Sequence, residues 1–200
     1  MLQHHAPIIL ASGSVIRQQM LKNVGLHFSV QPSGVDEDAL KATVAHAPIP
    51  EQALSLARAK TLSVSIDQPD AYTIGADQMC ELDGTILSKP GTYPKAEAQL
   101  ALLAGKTHFQ HSGIVLARGE EVLWSHHYTA RLTLRPLTAH EIRAYVAADA
   151  PLASCGAYKF ESLGRHLFSH VEGDHDVIQG LALQPLLVQL HLHGVISLAP

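Results

Sequence analysis

Residues 8–25 constrain the fold more than any other stretch. The apolar run Ile8-Ile9-Leu10 stops at a small, hydroxyl-bearing loop, Ala11-Ser12-Gly13-Ser14. A helical pattern through Ile16, Met20, Leu21 and Val24 begins at once and ends at Gly25, a C-terminal stop signal. This is a strand, loop, helix unit of the kind from which α/β structures are built. Ser14 stands where a helix cap belongs, yet the third residue after it is Arg17, where a capping box places Glu or Gln. A cation in the first turn opposes the helix dipole by a few tenths to about 1 kcal/mol, a cost that a bound anion would offset. Backbone N–H groups, two hydroxyls and a guanidinium meeting at one point describe a phosphate cradle. Spacing alone leaves an ordinary capped turn and a solvated Arg17 equally open.

Bulk properties narrow the partners. With 200 residues, 46% of them hydrophobic, the chain is long enough for a real core and needs no second domain, so residues 1–200 are expected to form one domain or one domain with two lobes. A net charge of −4 disfavours a broad nucleic-acid or anionic-membrane surface, and a phosphate site must then be a local gathering of Lys and Arg. Cys80 and Cys155 form no metal-like pair. No signal peptide and no apolar run of membrane-spanning length is visible, which makes a reducing cytoplasm the expected compartment. Histidine is abundant, 14 of 200, but there is no His-Glu-x-x-His and the pairs His4-His5, His126-His127 and His191-x-His193 lack cysteine support, so surface histidines are expected rather than zinc.

Along the chain, Leu26, Phe28 and Val30 alternate as a half-buried strand, and Ser33-Gly34-Val35-Asp36-Glu37-Asp38 reads as a polar, acidic loop that could carry ligands for a magnesium ion. A helix is expected from about Glu51 with Leu54, Ala57, Arg58, Thr61 and Leu62 in period, and it carries Lys60. The strand 71–76 then delivers Asp77 at its end, with Gly75 and Ala76 leaving room for close approach. Asp83-Gly84 predicts a tight hairpin that brings Lys89 out opposite Asp77, and Pro90 keeps Lys89 out of helix. A helix over 94–103, a long hairpin over 108–134 and a capped helix starting at Thr138-Ala139-His140-Glu141 follow. Alternation beyond Gly156 would turn Lys159 and Glu161 to one side. The polar loop 173–181 precedes a last helix bearing Leu183, Leu186, Leu187 and Leu190. No Gly-x-x-x-x-Gly-Lys-Ser/Thr is present, so this is not a P-loop chain.

Taken in order, Ala11-Ser12-Gly13-Ser14-x-x-Arg17, the Val35-Asp36-Glu37 block, Gly75-Ala76-Asp77, Ser88-Lys89-Pro90 and Gly156-Ala157-Tyr158 resemble the Maf family of nucleoside triphosphate pyrophosphatases over nearly the whole chain. The resemblance implies an α/β fold of the Maf/ITPase type, with a central mixed twisted sheet flanked by helices and two lobes with a deep cleft. It implies hydrolysis between the α- and β-phosphates of a nucleoside triphosphate, including non-canonical ones, to a monophosphate and pyrophosphate. It also implies a divalent cation, Mg²⁺ or Mn²⁺, held by Glu37 and Asp77. Asp77, Lys89 and Lys60 would be catalytic, and Ser12, Gly13, Ser14, Arg17, Gln78, Lys159 and Glu161 would bind substrate. Gln78, Lys159 and Glu161 are similar to the subgroup associated with 7-methylguanosine triphosphate, since a carboxylate can accept the N–H donors of a guanine edge. A homodimer follows from the family only. The alternative is a non-catalytic nucleotide-binding regulator, because family members are linked to septum formation.

Overall fold

The computed structural model describes residues 1–199. In chain order the elements are β1 (Leu2–His4), β2 (Ile8–Leu10), α1 (Val15–Asn23), β3 (Ser29–Val30), α2 (Glu37–Val44), α3 (Ile49–Ser65), β4 (Tyr72–Leu82) and β5 (Thr85–Leu87). Then come α4 (Tyr93–Leu103), β6 (Thr107–Arg118), β7 (Glu121–Leu134), α5 (Ala139–Asp149), a 3₁₀ turn at Leu163–Leu167, β8 (Phe168–Glu172), α6 (His175–Ile178), α7 (Leu183–Leu192) and β9 (Ile196–Leu198). The main sheet has the order β3-β2-β4-β6-β7-β8, with β5 paired to β4. It is mixed: β2 runs parallel to β3 and β4, whereas β4–β5 and β7–β8 are antiparallel. The chain is thus α/β with a mixed central sheet and helices packed on it. Among the described residues no helix is long and apolar enough to cross a membrane.

Two compact units divide the chain. The first comprises Met1–Asp77, Ser112–Tyr128 and Gly180–Pro200, and the second Gln78–His111 and Thr129–Gln179.

In the first unit the deciding contact is between α3 and the sheet. A Cβ built on Gly75 of β4 would fall 2.0 Å from Thr61 Oγ1 and 3.2 Å from the Ala57 carbonyl oxygen, and one on Gly113 of β6 would fall 2.5 Å from the Ala53 carbonyl oxygen. Backbone therefore lies on backbone, and only small α3 residues fit there. Ala53, Ala57 and Thr61 supply them at a spacing of four. Of the expected stripe, Ala57 and Thr61 face the sheet as read, and the buried face extends on the side of Ala53 and Leu56 rather than Leu54 and Arg58. Ala53, Leu56, Ala57, Lys60, Thr61 and Val64 are buried, while Arg58 is exposed and Leu54 and Leu62 are half-buried. Thr61 returns its hydroxyl hydrogen to the Ala57 carbonyl at 2.6 Å, so the hydroxyl is satisfied inside the interface.

Around this contact the expected strand, loop and helix fall into place, with Gly25 at φ 78° closing the turn after α1. Three expectations change. The strand expected at 26–30 is only Ser29–Val30, paired in parallel to β2. The acidic loop is instead a helix start: Asp36 caps α2, accepting from the N–H groups of Asp38 and Ala39, which puts Glu37 in the first turn. Asp77 does not end a strand, since β4 continues through it to Leu82. The short antiparallel pair β1–β9 carried no sequence signal.

The second unit follows its turn chemistry. Asp83 (φ 50°) and Gly84 (φ 78°) form the tight turn between β4 and β5. Thr138 and Glu141 close a full capping box on α5, and the carboxyl of Glu141 is held down at about 2 by the Thr138 backbone N–H first, then by Arg135 and the Thr138 hydroxyl. Within the core, His108 is fully buried, with Nε2 2.8 Å from the Tyr158 hydroxyl and its ring against Phe168. Burial lowers its pKa to about 4.

Two outcomes follow from this packing. Gly113→Ala forces β6 and α3 apart and should cost about 2 kcal/mol in urea unfolding, whereas Gly34→Ala, with no atom within 4 Å of the added Cβ, should change little. His108 is neutral in the folded chain and takes up a proton near pH 6.5 when unfolded. Its contribution is therefore complete above that pH and lost as pH falls towards about 4, with a limiting slope of ~1.4 kcal/mol per pH unit. His108→Phe should flatten the stability profile between those values, and an unchanged slope would exclude His108 as its source.

Candidate active site

The burial of α3 against Gly75 fixes the direction of Lys60. Its position on the inward face of the helix sends the ammonium along the sheet to Asp77 on β4, 2.5 Å from Oδ1. Glu37, from the first turn of α2, places Oε1 2.8 Å from the same Nζ. The Lys60 and Asp77 side chains are 10% and 12% exposed, and Glu37 is 48% exposed and also faces Lys41 at 3.8 Å. A lysine on a helix is usually a solvated one. Here a buried ammonium is retained because two carboxylates accept from it.

Arg17 lies in the same unit. Its Nε donates to the Gly180 carbonyl at 2.8 Å, and one terminal nitrogen donates to the Ala76 carbonyl at 2.7 Å and to Ser12 Oγ at 3.0 Å. The guanidinium is thus a clamp joining the loop after β2, strand β4 beside Asp77, and the segment before α7. Ser14 occupies the N-cap position of α1, but its hydroxyl makes no cap bond, and Ser12 Oγ accepts from the Ser14 N–H instead. Gly13 is exposed between the two hydroxyl residues, with Pro32 3.7 Å from where its Cβ would be.

The remaining candidates belong to the second unit. Gln78 spends its amide N–H groups on the carbonyls of Val177 and Ile178, at 3.1 and 2.8 Å. Lys89 lies beyond the paired residues of β5 and is exposed. Lys159 and Glu161 do not lie on a strand: Gly156 (φ 81°) and Ala157 (φ 58°) turn the chain, so the alternation argument fails. Lys159 Nζ donates to the Asp149 carbonyl at 2.6 Å at the C-terminal end of α5, where a cation complements the helix dipole, and Glu161 is exposed. Burial pushes the Cys80 thiol far up, so it offers no thiolate nucleophile.

The model of the Maf-like proteins matches residues 7–192. The chain belongs to the Maf-like family. A nucleoside triphosphate pyrophosphatase of Legionella pneumophila, strain Philadelphia 1, is 41% identical over 192 residues, covering 94% of this chain and 96% of that protein. One from Nitrobacter winogradskyi is 43% identical over 194 residues, with 96% of each chain covered, and one from Maricaulis maris is 42% identical over 191 residues, covering 94% of this chain and 97% of that one. The solved HAM1 protein of Coxiella burnetii is a more distant likeness, with a TM-score of 0.47 and 13% identity over 94% of this chain and 99% of that one.

For a Maf-like chain the donor set can be tested against a divalent cation. Among the described residues no group of three or more His, Cys, Asp or Glu side chains is arranged to hold a metal. Glu37 and Asp77 are nevertheless hard oxygen donors that already share one cation, the Lys60 ammonium. Mg²⁺ characteristically takes one or two protein carboxylates and completes its shell with water and substrate phosphates. The two residues fit that pattern.

Sequence reasoning did not find the clamp, because its acceptors at Ala76 and Gly180 are backbone carbonyls that any residue could supply. Arg17→Ala should lower stability by about 2 kcal/mol in urea titration, the worth of hydrogen bonds from a charged donor. Arg17→Lys should recover only part of the loss, since an ammonium lacks the planar fork.

Proposed function

We propose that this Maf-like chain is a nucleoside triphosphate pyrophosphatase that cleaves the α–β phosphate anhydride, giving a nucleoside monophosphate and pyrophosphate. The observation that carries the proposal is the Lys60–Asp77–Glu37 group, a buried ammonium and two carboxylates held by α3, β4 and α2. The names of relatives 41–43% identical over nearly the full chain support it.

Hydrolysis of the anhydride consumes one water: its oxygen bonds to the α-phosphorus, the bond from that phosphorus to the α–β bridging oxygen breaks, the bridging oxygen leaves with pyrophosphate, and one proton must be accepted. Asp77 is the acceptor in this proposal. It is almost buried, and the bond from Lys60 to Oδ1 fixes the plane of its carboxylate, which orients a water before reaction. Lys60 also places positive charge beside the polyanionic substrate, where preorganised charge lowers the barrier. A divalent cation held by Glu37 and Asp77 would, when bound, neutralise phosphate oxygens and polarise the anhydride. Arg17 holds the Ser12 loop and the Ala76 carbonyl in place around this group rather than meeting phosphate with the donors it gives to protein. For Lys89, Gln78, Lys159 and Glu161 the assignment as substrate-binding or catalytic groups rests on the family resemblance. Glu161, an exposed carboxylate, is the one proposed to read the base.

The test is a panel of canonical nucleoside triphosphates and 7-methylguanosine triphosphate, with Mg²⁺ or with chelator, scored separately for pyrophosphate and orthophosphate. Pyrophosphate is expected only with metal. Asp77→Asn should reduce turnover by at least about 10³-fold while nucleotide still binds in calorimetry. Orthophosphate as the sole product, or full turnover in Asp77→Asn, refutes the assignment.

A further inference from the structure

Lys60 and a divalent cation ask for the same acceptors. The ammonium lies within 2.8 Å of Glu37 Oε1 and 2.5 Å of Asp77 Oδ1, the two carboxylates assigned above to the metal. We infer that Lys60 is an internal cation that balances the Glu37–Asp77 pair in the metal-free protein and is displaced from Glu37 when a divalent cation binds. The inference rests on the metal-assisted reading and adds a competition to it.

Three observations support it. Without Lys60, two carboxylates would converge in a site where Asp77 is nearly buried, and their repulsion would be poorly screened, so a cation is required there even before metal arrives. The partners differ in freedom. Asp77 sits within a continuous strand, whereas Glu37 is on the first turn of a short helix, half exposed, with Lys41 as a second cation within reach. The exchange therefore breaks at Glu37. Lastly, lysine carries a point charge on a flexible four-carbon stem, so Nζ can move while its Cα remains locked against Gly75 and Gly113 by Ala57 and Ala53. A metal and an ammonium sharing these oxygens repel each other, and the ammonium that leaves Glu37 is turned towards the anion that accompanies the metal, the triphosphate. In this account the resting ion pair stores a cation at the site and releases it towards substrate only after metal loading.

The experiment uses the full chain without nucleotide. Mn²⁺ binding, read by electron paramagnetic resonance of the free ion, should be weak in the unmodified protein. It should be tighter by at least about tenfold in Lys60→Met, which keeps an unbranched side chain one atom shorter and removes its charge. Adding Glu37→Gln to that variant should abolish the gain. In the unmodified protein, reductive methylation of Lys60 followed by mass spectrometry should be slow without metal and severalfold faster with saturating Mg²⁺, while the exposed Lys95 is unchanged. Equal Mn²⁺ affinity in Lys60→Met and the unmodified protein, or a Lys60 methylation rate indifferent to Mg²⁺, overturns the inference. If Lys60→Met is unfolded by circular dichroism, the methylation result decides alone. Because no nucleotide is present, failure here leaves the pyrophosphatase assignment to be judged on its own product analysis.

Discussion

The approach of α3 to the sheet is the constraint on which the rest of the first unit depends. Glycine at 75 and 113 lets a helix lie with its backbone against the backbones of β4 and β6, and Ala53, Ala57 and Thr61 are the side chains thin enough to line that seam. A helix held so closely cannot roll about its axis without a clash. Its register therefore decides which residue faces Asp77, and that residue is Lys60. A charged residue is kept largely buried by the packing of small side chains, Ala53, Ala57 and Thr61. Its two acid partners then repay the desolvation that packing alone would not.

Much of the first unit was legible because its signals are local. The apolar run 8–10, the hydroxyl loop and Gly25 each act within a few residues, so strand, turn and helix could be read directly. The turn at Asp83-Gly84 and the capping box at Thr138 are of the same kind, each set by dihedral preference or by a side chain reaching three residues along. Asp36 shows the limit of such reading. Its carboxylate looked like part of a solvated acidic run, yet it spends itself on two backbone N–H groups, and Glu37 is aimed by the helix that this cap begins.

What was not legible depends on distance in sequence. The face of α3 was read only in part: Ala57 and Thr61 are buried as the period implied, but hydrophobicity marks Leu54 and Leu62, which are half-buried, whereas the sheet selects for thinness. The clue was Gly75 in an otherwise bulky strand, facing residues spaced by four on a helix some fifteen positions earlier. The alternation read beyond Gly156 failed because positive φ at a non-glycine residue, Ala157, has no composition signal. Arg17 was correctly singled out as a cation in the wrong place for the dipole of α1. Its compensation is three protein oxygens, two of them carbonyls whose location only the fold determines.

The Arg17 clamp also bears on how the protein comes to exist in time. One of its partners, Gly180, is 163 residues away along the chain. During synthesis from the N-terminus, β2, α1 and β4 leave the ribosome well before that partner does. The bonds to Ser12 and Ala76 can therefore form first, and the tie to the segment before α7 comes last of the three. The nascent chain does not complete the clamp until the segment before α7 has been made, so a product interrupted before Gly180 retains Arg17, Ser12 and Ala76 but lacks the carbonyl that joins them to that segment.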